Sequence, residues 1–129
     1  MPSSSARTTS HERTLIRLWR ETYYHLWHAQ EPSTSDLLTR HFASTLDISV
    51  AELKKIYFDV RKDSLLPKAE VAEWANRSRE LAKLRREENL AGAADCLYAV
   101  GTALKAVGRE GEAKEWWGMS QEVKGWFRI

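Results

Sequence analysis

Residues 12–30, ERTLIRLWRETYYHLWHAQ, decide the fold class. Leu15, Leu18, Trp19, Tyr23, Leu26 and Trp27 recur at three- and four-residue intervals, the spacing of one apolar face of an α-helix. Thr9 and Glu12 stand at capping-box positions just ahead of that run. Glu31-Pro32 ends it, because the residue before a proline is steered out of the α region. The same period continues outward. Leu38, Phe42 and Leu46 repeat every four residues in a second helix, after the restart at Ser33-Thr34-Ser35-Asp36. Asp47-Ile48 makes a short turn. Ser49-Val50-Ala51-Glu52 is a second capping box, opening a third helix with Leu53, Ile56, Tyr57 and Val60 on its inner face. Asp63 to Pro67 breaks the chain, and Pro67 suits the first turn of the helix that follows.

The remaining chain is also helical in pattern. A fourth helix turns Val71, Trp74, Ala75, Ser78, Leu81 and Ala82 inward, with Arg77, Arg79, Lys83, Arg85 and Arg86 on its other face. Glu87-Glu88-Asn89 suits a cap or a continuous helix equally well. A fifth helix spans about Leu90 to Val107 and closes at Gly108, a good residue for the position just past a helix. A sixth runs from about Glu110 to Trp126. No stretch alternates with a period of two, so no sheet is expected. The prediction is an all-α chain with a polar tail at 1–11, a three-helix bundle at 12–66 and a helical extension at 67–129, packed as one unit.

Composition narrows the function. The 129 residues carry 20 Lys/Arg against 18 Asp/Glu, a formal charge of +2 that does not argue for nucleic acid on its own. Charge is unevenly placed: residues 1–86 hold 15 basic and 11 acidic side chains, a balance of +4, so an acidic partner is expected there. No apolar run approaches the roughly 18–20 residues needed to span a bilayer. The single cysteine, Cys96, argues against both a disulfide framework and a cysteine zinc site within the chain and reads as a buried, inert thiol. His25 and His28 lie three apart with Glu21 one turn before His25. Neither His11, His41 nor Cys96 is expected beside them, so no metal site is predicted. Phosphate-binding loops, nucleophile elbows and zinc-protease motifs are lacking, and an enzyme is the least supported class. The opening MPSSSARTTSH has no apolar core for secretion. Its Ser/Thr-rich, acid-free composition permits mitochondrial targeting although it is short for a transit peptide, and it reads as an uncleaved tail held by a neighbouring chain.

Six tryptophans are many for this length. Trp116 and Trp117 are consecutive, so they point about 100° apart and cannot both enter one core stripe. One of them, with Trp126 and Phe127, is expected at an assembly interface.

Three local patterns resemble known families. Leu97, Val100, Gly101, Leu104, Gly108, Ala113, Trp117, Ser120 and Gly125 are similar to one tetratricopeptide repeat. No second copy lies 34 residues earlier, so the resemblance implies a packing hairpin and not a peptide-binding array. Ala43, Asp47, Ile48, Ser49, Leu53 and Ile56 resemble a helix-turn-helix, which implies a nucleic-acid reader in the third helix. Leu18-Trp19-Arg20, followed by Arg40-His41-Phe42 and the leucine-type spacing of Leu53 to Val60, resembles the LYR-motif family across roughly residues 12–66. It differs in having Trp19 for tyrosine, and Ala43 where an arginine commonly follows the phenylalanine. That resemblance implies a mitochondrial accessory subunit or assembly factor of the respiratory chain, complex I among the hosts. Its partner would be acyl carrier protein, an acidic helical bundle with an acylated phosphopantetheine arm, and the chain itself would bind no cofactor directly. Arg13, Arg17, Arg20 and Arg40 would meet the acids of that partner. Leu18, Trp19, Leu38, Phe42 and Ile56 would line a channel for the acyl chain. Membrane association would be peripheral, through the host complex. Nucleic-acid binding ranks behind this reading, and a scaffold role in another large assembly stands beside it.

Overall fold

A computed structural model describes residues 10–58 and 68–125. Among them are six helices and no strand: α1 (Ser10–His28), α2 (Pro32–Leu46), α3 (Val50–Phe58), α4 (Lys68–Ala82), α5 (Arg86–Ala106) and α6 (Glu110–Gly125). The chain is all-α. Thr9, Val60, Trp126 and Phe127, and the side chains of Ile56, Tyr57 and Val71, lie outside what is described.

The helix boundaries follow local chemistry. α1 stops at His28, short of the Glu31-Pro32 boundary expected, because Gln30 takes a left-handed conformation (φ 64°) and the Glu31 amide folds back onto the Leu26 carbonyl at 2.9 Å. α2 ends the same way at Asp47 (φ 58°), whose αL geometry lets the Ile48 amide reach the Ala43 carbonyl at 3.1 Å. At Gly108 (φ 84°) the third such turn uses the residue best suited to it, and the Arg109 amide bonds the Leu104 carbonyl at 3.0 Å. Ser49 caps α3 as expected, with the Glu52 amide donating to Ser49 Oγ at 3.0 Å and Ser49 Oγ donating to Glu52 Oε1 at 3.3 Å. α5 begins at Arg86, so Glu87-Glu88-Asn89 is helical, and the break falls at Lys83–Arg85. Glu88 sets that start by accepting from the Arg85 amide at 2.9 Å.

α1 packs antiparallel to α2 on one side and to α5 on the other, and α5 packs antiparallel to α6. α6 meets α2 through side chains: the Trp116 and Phe42 ring centroids lie 4.4 Å apart, and Arg109, just before α6, donates from Nη2 to the Thr45 carbonyl at 2.9 Å. α3 follows beside α2 and delivers the fully buried Leu53, while α4 lies along the outside of α1. One core therefore runs through both halves of the sequence, joining Leu15, Ile16 and Trp19 to Phe42, Leu97, Leu104 and Trp116.

The α5–α6 contact depends on small residues at its closest points. A Cβ on Gly101 would lie 2.5 Å from the Trp117 ring and 2.9 Å from the Ala113 carbonyl oxygen. Ala113 and Ser120 are fully buried, and Ser120 Oγ donates to the Ala94 carbonyl at 2.7 Å. Trp117 can turn aside but the Ala113 backbone cannot, so Gly101→Ala must push the helices apart. The expected cost is about 1–3 kcal/mol, as for other overpacked cores. Urea denaturation checks this; an unchanged midpoint would show that the hairpin opens freely.

Some expected core faces shift. On α4, Trp74 and Leu81 are buried as expected, but Ala75 and Ala82 are exposed, since a single helix beside α1 needs only a narrow stripe. On α1, Trp27 is 54% exposed and Leu18 and Tyr23 are half-buried, whereas Ile16, Arg20, Thr22 and His25 are buried. Clasped between α2, α4 and α5, this helix hides more than one stripe.

Candidate functional site

The most concentrated chemistry lies where α1, α4 and α5 meet. Glu21 and His25 sit one turn apart on α1 and therefore share a face. Opposite them α5 presents Asn89, Gly92 and Cys96. His25 and Cys96 are buried, and Glu21 is half-buried. Asn89 is fully buried and anchored: its Nδ2 donates to the Leu81 carbonyl at 3.1 Å, which turns Oδ1 toward His25 Nδ1 at 2.9 Å. An acceptor there makes Nδ1 the donor and leaves His25 Nε2 facing Glu21 Oε2 at 3.7 Å. Gly92 makes room for the ring, since a Cβ at that position would lie 2.3 Å from it.

The two Glu21 oxygens are used differently. Oε1 accepts from Arg77 Nε of α4 at 3.4 Å, while Oε2 faces His25 and accepts from the Cys96 thiol at 3.5 Å. Facing His25, and with Arg77 and the thiol adding to it against the opposing effect of burial, the Glu21 carboxyl is held well below the usual carboxylate range, at about 2. Burial first, then the neighbouring carboxylate, pushes the Cys96 thiol far above its ordinary value. The free thiol is therefore protonated at neutral pH and a poor nucleophile. His28, one turn on, points instead to α4, with Nε2 3.3 Å from Ser78 Oγ, and burial lowers its pKa.

Two recesses flank this cluster. One, of about 440 Å³ between α1 and α4, has Leu18 and Trp74 among its lining residues, with Arg17, Glu73, Arg77 and Glu80. The other, of about 610 Å³, lies over the cluster itself and is bounded by Leu84, Glu88, Ala91, Asp95 and Ala99.

The residues expected to meet partners are scattered. Arg13 and Arg17 are exposed on α1, and Arg40 is exposed on α2. Arg20 is not on that surface: it is 3% exposed, with Nε and Nη2 donating to the Tyr24 hydroxyl at 3.3 and 3.1 Å and the guanidinium 4.8 Å from the Trp74 ring centroid. Of the three α1 arginines expected to meet the partner's acids, Arg13 and Arg17 are therefore on the surface, while Arg20 is covered by Trp74 of α4. Trp19, Leu38 and Phe42 are packed into the core, where Trp19 Nε1 donates to Thr39 Oγ1 at 2.8 Å. These three side chains fill space that a channel would need. Trp116 is likewise a core residue and not an interface residue, fully buried against Phe42 and His41. Trp117 stays at the rim, stacked on Tyr98 and donating to the Tyr98 carbonyl at 3.2 Å.

Cys96 completes a cluster that the sequence reading missed. The Glu21/His25 pairing is visible as i, i+4 spacing, but the partner 71 residues after His25 follows only from α1 lying against α5. Among the described residues no helix is long and apolar enough to cross a membrane. Comparison with protein-family models, curated proteins and solved structures gives no significant match.

Proposed function

We propose that the chain is a non-catalytic docking protein, an accessory subunit or assembly factor of a mitochondrial respiratory complex, that holds an acidic partner of the acyl-carrier-protein kind. The observation that carries this reading is the division of labour on the first turns of α1. Arg13 and Arg17 stand exposed one turn apart, while Leu15, Ile16 and Trp19 between and beside them are buried. Exposed arginines steer and orient an acidic partner. Beside Arg17 lies the α1–α4 recess of about 440 Å³ with Leu18 and Trp74 in its wall, within the size range of small-ligand pockets and suited to a phosphopantetheine arm. The order of α1, α2 and α3 and the exposure of Arg40 on α2 also support it.

A double charge reversal, Arg13→Glu with Arg17→Glu, tests the reading. Helicity and melting should stay unchanged, since surface substitutions usually move stability by about 0.5 kcal/mol or less. Affinity for the acylated carrier should fall on the order of tenfold or more, with most of the loss in association rate. Undiminished copurification of the carrier with the double variant would overturn the proposal.

One observation favours a second reading. A helix-turn-helix commonly has glycine at the turn, and Asp47 adopts the required left-handed backbone (φ 58°) without it. In that case native purification would return nucleic acid, released steeply as salt rises, in place of an acidic protein.

A further inference from the structure

We propose that Glu21, His25 and Cys96 form a zinc site with three protein ligands, its fourth position open to the recess between α1, α4 and α5. The inference is independent of the docking role and rests on how three donor atoms are presented.

Glu21 Oε2, His25 Nε2 and Cys96 Sγ lie within 4.8 Å of one another. Oε2 is 3.7 Å from Nε2 and 3.5 Å from Sγ. Around a tetrahedral zinc with bonds of about 2.0–2.3 Å, neighbouring ligand atoms stand about 3.2–3.6 Å apart. Two of the three edges are close to that spacing; the His25–Cys96 edge, at up to 4.8 Å, would have to shorten by about 1 Å through side-chain rotation as the ion binds.

The imidazole is prepared as a ligand by its surroundings. Asn89 is locked by the Leu81 carbonyl, so its Oδ1 fixes a proton on His25 Nδ1 and leaves Nε2 as the ring nitrogen that faces Oε2. A metal-bound histidine almost always has such an arrangement, with its other ring N–H given to a carbonyl or carboxylate. Gly92 brings the α5 backbone against the ring, and a Cβ there would displace the ring from this position. At 3.7 Å, His25 Nε2 and the carboxylate oxygen are too far apart for a direct hydrogen bond and leave room for a cation held by both. Without an ion, His25 and the Cys96 thiol each meet Glu21 Oε2 pairwise. A metal ion uses all three.

The donor set also selects the ion. An imidazole and a thiolate exclude magnesium and calcium and suit zinc. Carboxylate and thiolate together balance its two positive charges. Arg77 holds the other Glu21 oxygen, Oε1, and so keeps Oε2 turned toward the ion. With three protein ligands, the fourth position takes water or a donor entering from the recess of about 610 Å³.

The test is titration of the metal-free full chain with Zn²⁺ and with Co²⁺ at neutral pH. We expect one ion per chain, a rise in melting temperature, and for cobalt a thiolate charge-transfer absorption with the visible bands of a four-coordinate ion. Cys96→Ala should abolish the charge-transfer band and weaken binding about 100-fold or more. Asn89→Ala should retain the band but bind about 10- to 100-fold more weakly, the usual effect of losing such an orienting partner. Should Cys96→Ala fail to fold, Glu21→Gln replaces it and must also weaken binding. Failure of the wild-type chain to bind either ion stoichiometrically would overturn the proposal and leave Glu21 and His25 as an ion pair. Binding that these substitutions do not alter would overturn it equally.

Discussion

Replacing Trp116 with alanine should cost about 3–5 kcal/mol of folding stability, the range for emptying a buried aromatic site. The ring is fully buried, with its centroid 4.4 Å from that of Phe42 and 5.0 Å from that of His41, and it provides the main side-chain contact joining α6 to α2. Its removal leaves a cavity between α2 and α6, whose approach is restrained by the bond from Arg109 to the Thr45 carbonyl. A change of 1 kcal/mol shifts the melting temperature of a chain this size by roughly 2–8 °C, so the fall should be at least about 6 °C. Thermal and urea unfolding measure it directly. The sequence, with two adjacent tryptophans pointing in different directions, equally allows Trp116 to face another chain. That arrangement would leave the monomer's unfolding untouched and weaken only its assembly. A Trp116→Ala chain that melts like the wild type would therefore return this residue to an interface.

Trp116 shows which features of this fold are legible in sequence. Helical period is legible because it is local: Leu38, Phe42 and Leu46 line one face whatever packs against them, and all three are buried. Ends are legible where side chains or glycine create them, as at Ser49 and Gly108, and not at Gln30, where an ordinary residue takes the left-handed turn. The small residues Gly101, Ala113 and Ser120 announce a close helix pair, and α5 and α6 use them for that. Helix neighbours are another matter. Nothing local states that α1 runs between α2 and α5, yet that placement buries His25 and brings Cys96 to Glu21. Spacing alone records the i, i+4 pair of a ligand cluster but not the member supplied by a distant helix. Arginine adds a further ambiguity, because its long apolar stem and charged end suit a solvated face or an aromatic cover equally.

Arg20 resolves that ambiguity toward the aromatic cover, and Arg20→Glu should destabilise the chain by about 3–5 kcal/mol, the range for breaking a buried charge arrangement. Its guanidinium lies between Tyr24 and Trp74, 5.5 Å and 4.8 Å from their ring centroids, and donates twice to the Tyr24 hydroxyl. A desolvated cation over a tryptophan face contributes about 2 kcal/mol, and a carboxylate in that position meets the negative face of the same ring. Tyr24 and Trp74 also touch edge to face at 5.9 Å, so the arginine closes a three-membered contact that fastens α4 to α1. Loss of that contact exposes Trp74, which tryptophan fluorescence reports alongside the melting curve. Arg20→Met retains the apolar stem and should lose only part of the stability. A docking arginine would behave in the opposite way, as Arg13 and Arg17 are expected to: charge reversal would preserve the melting curve and abolish partner binding. Wild-type stability in Arg20→Glu would place this side chain among the docking residues and would require α4 to leave α1 when the partner binds.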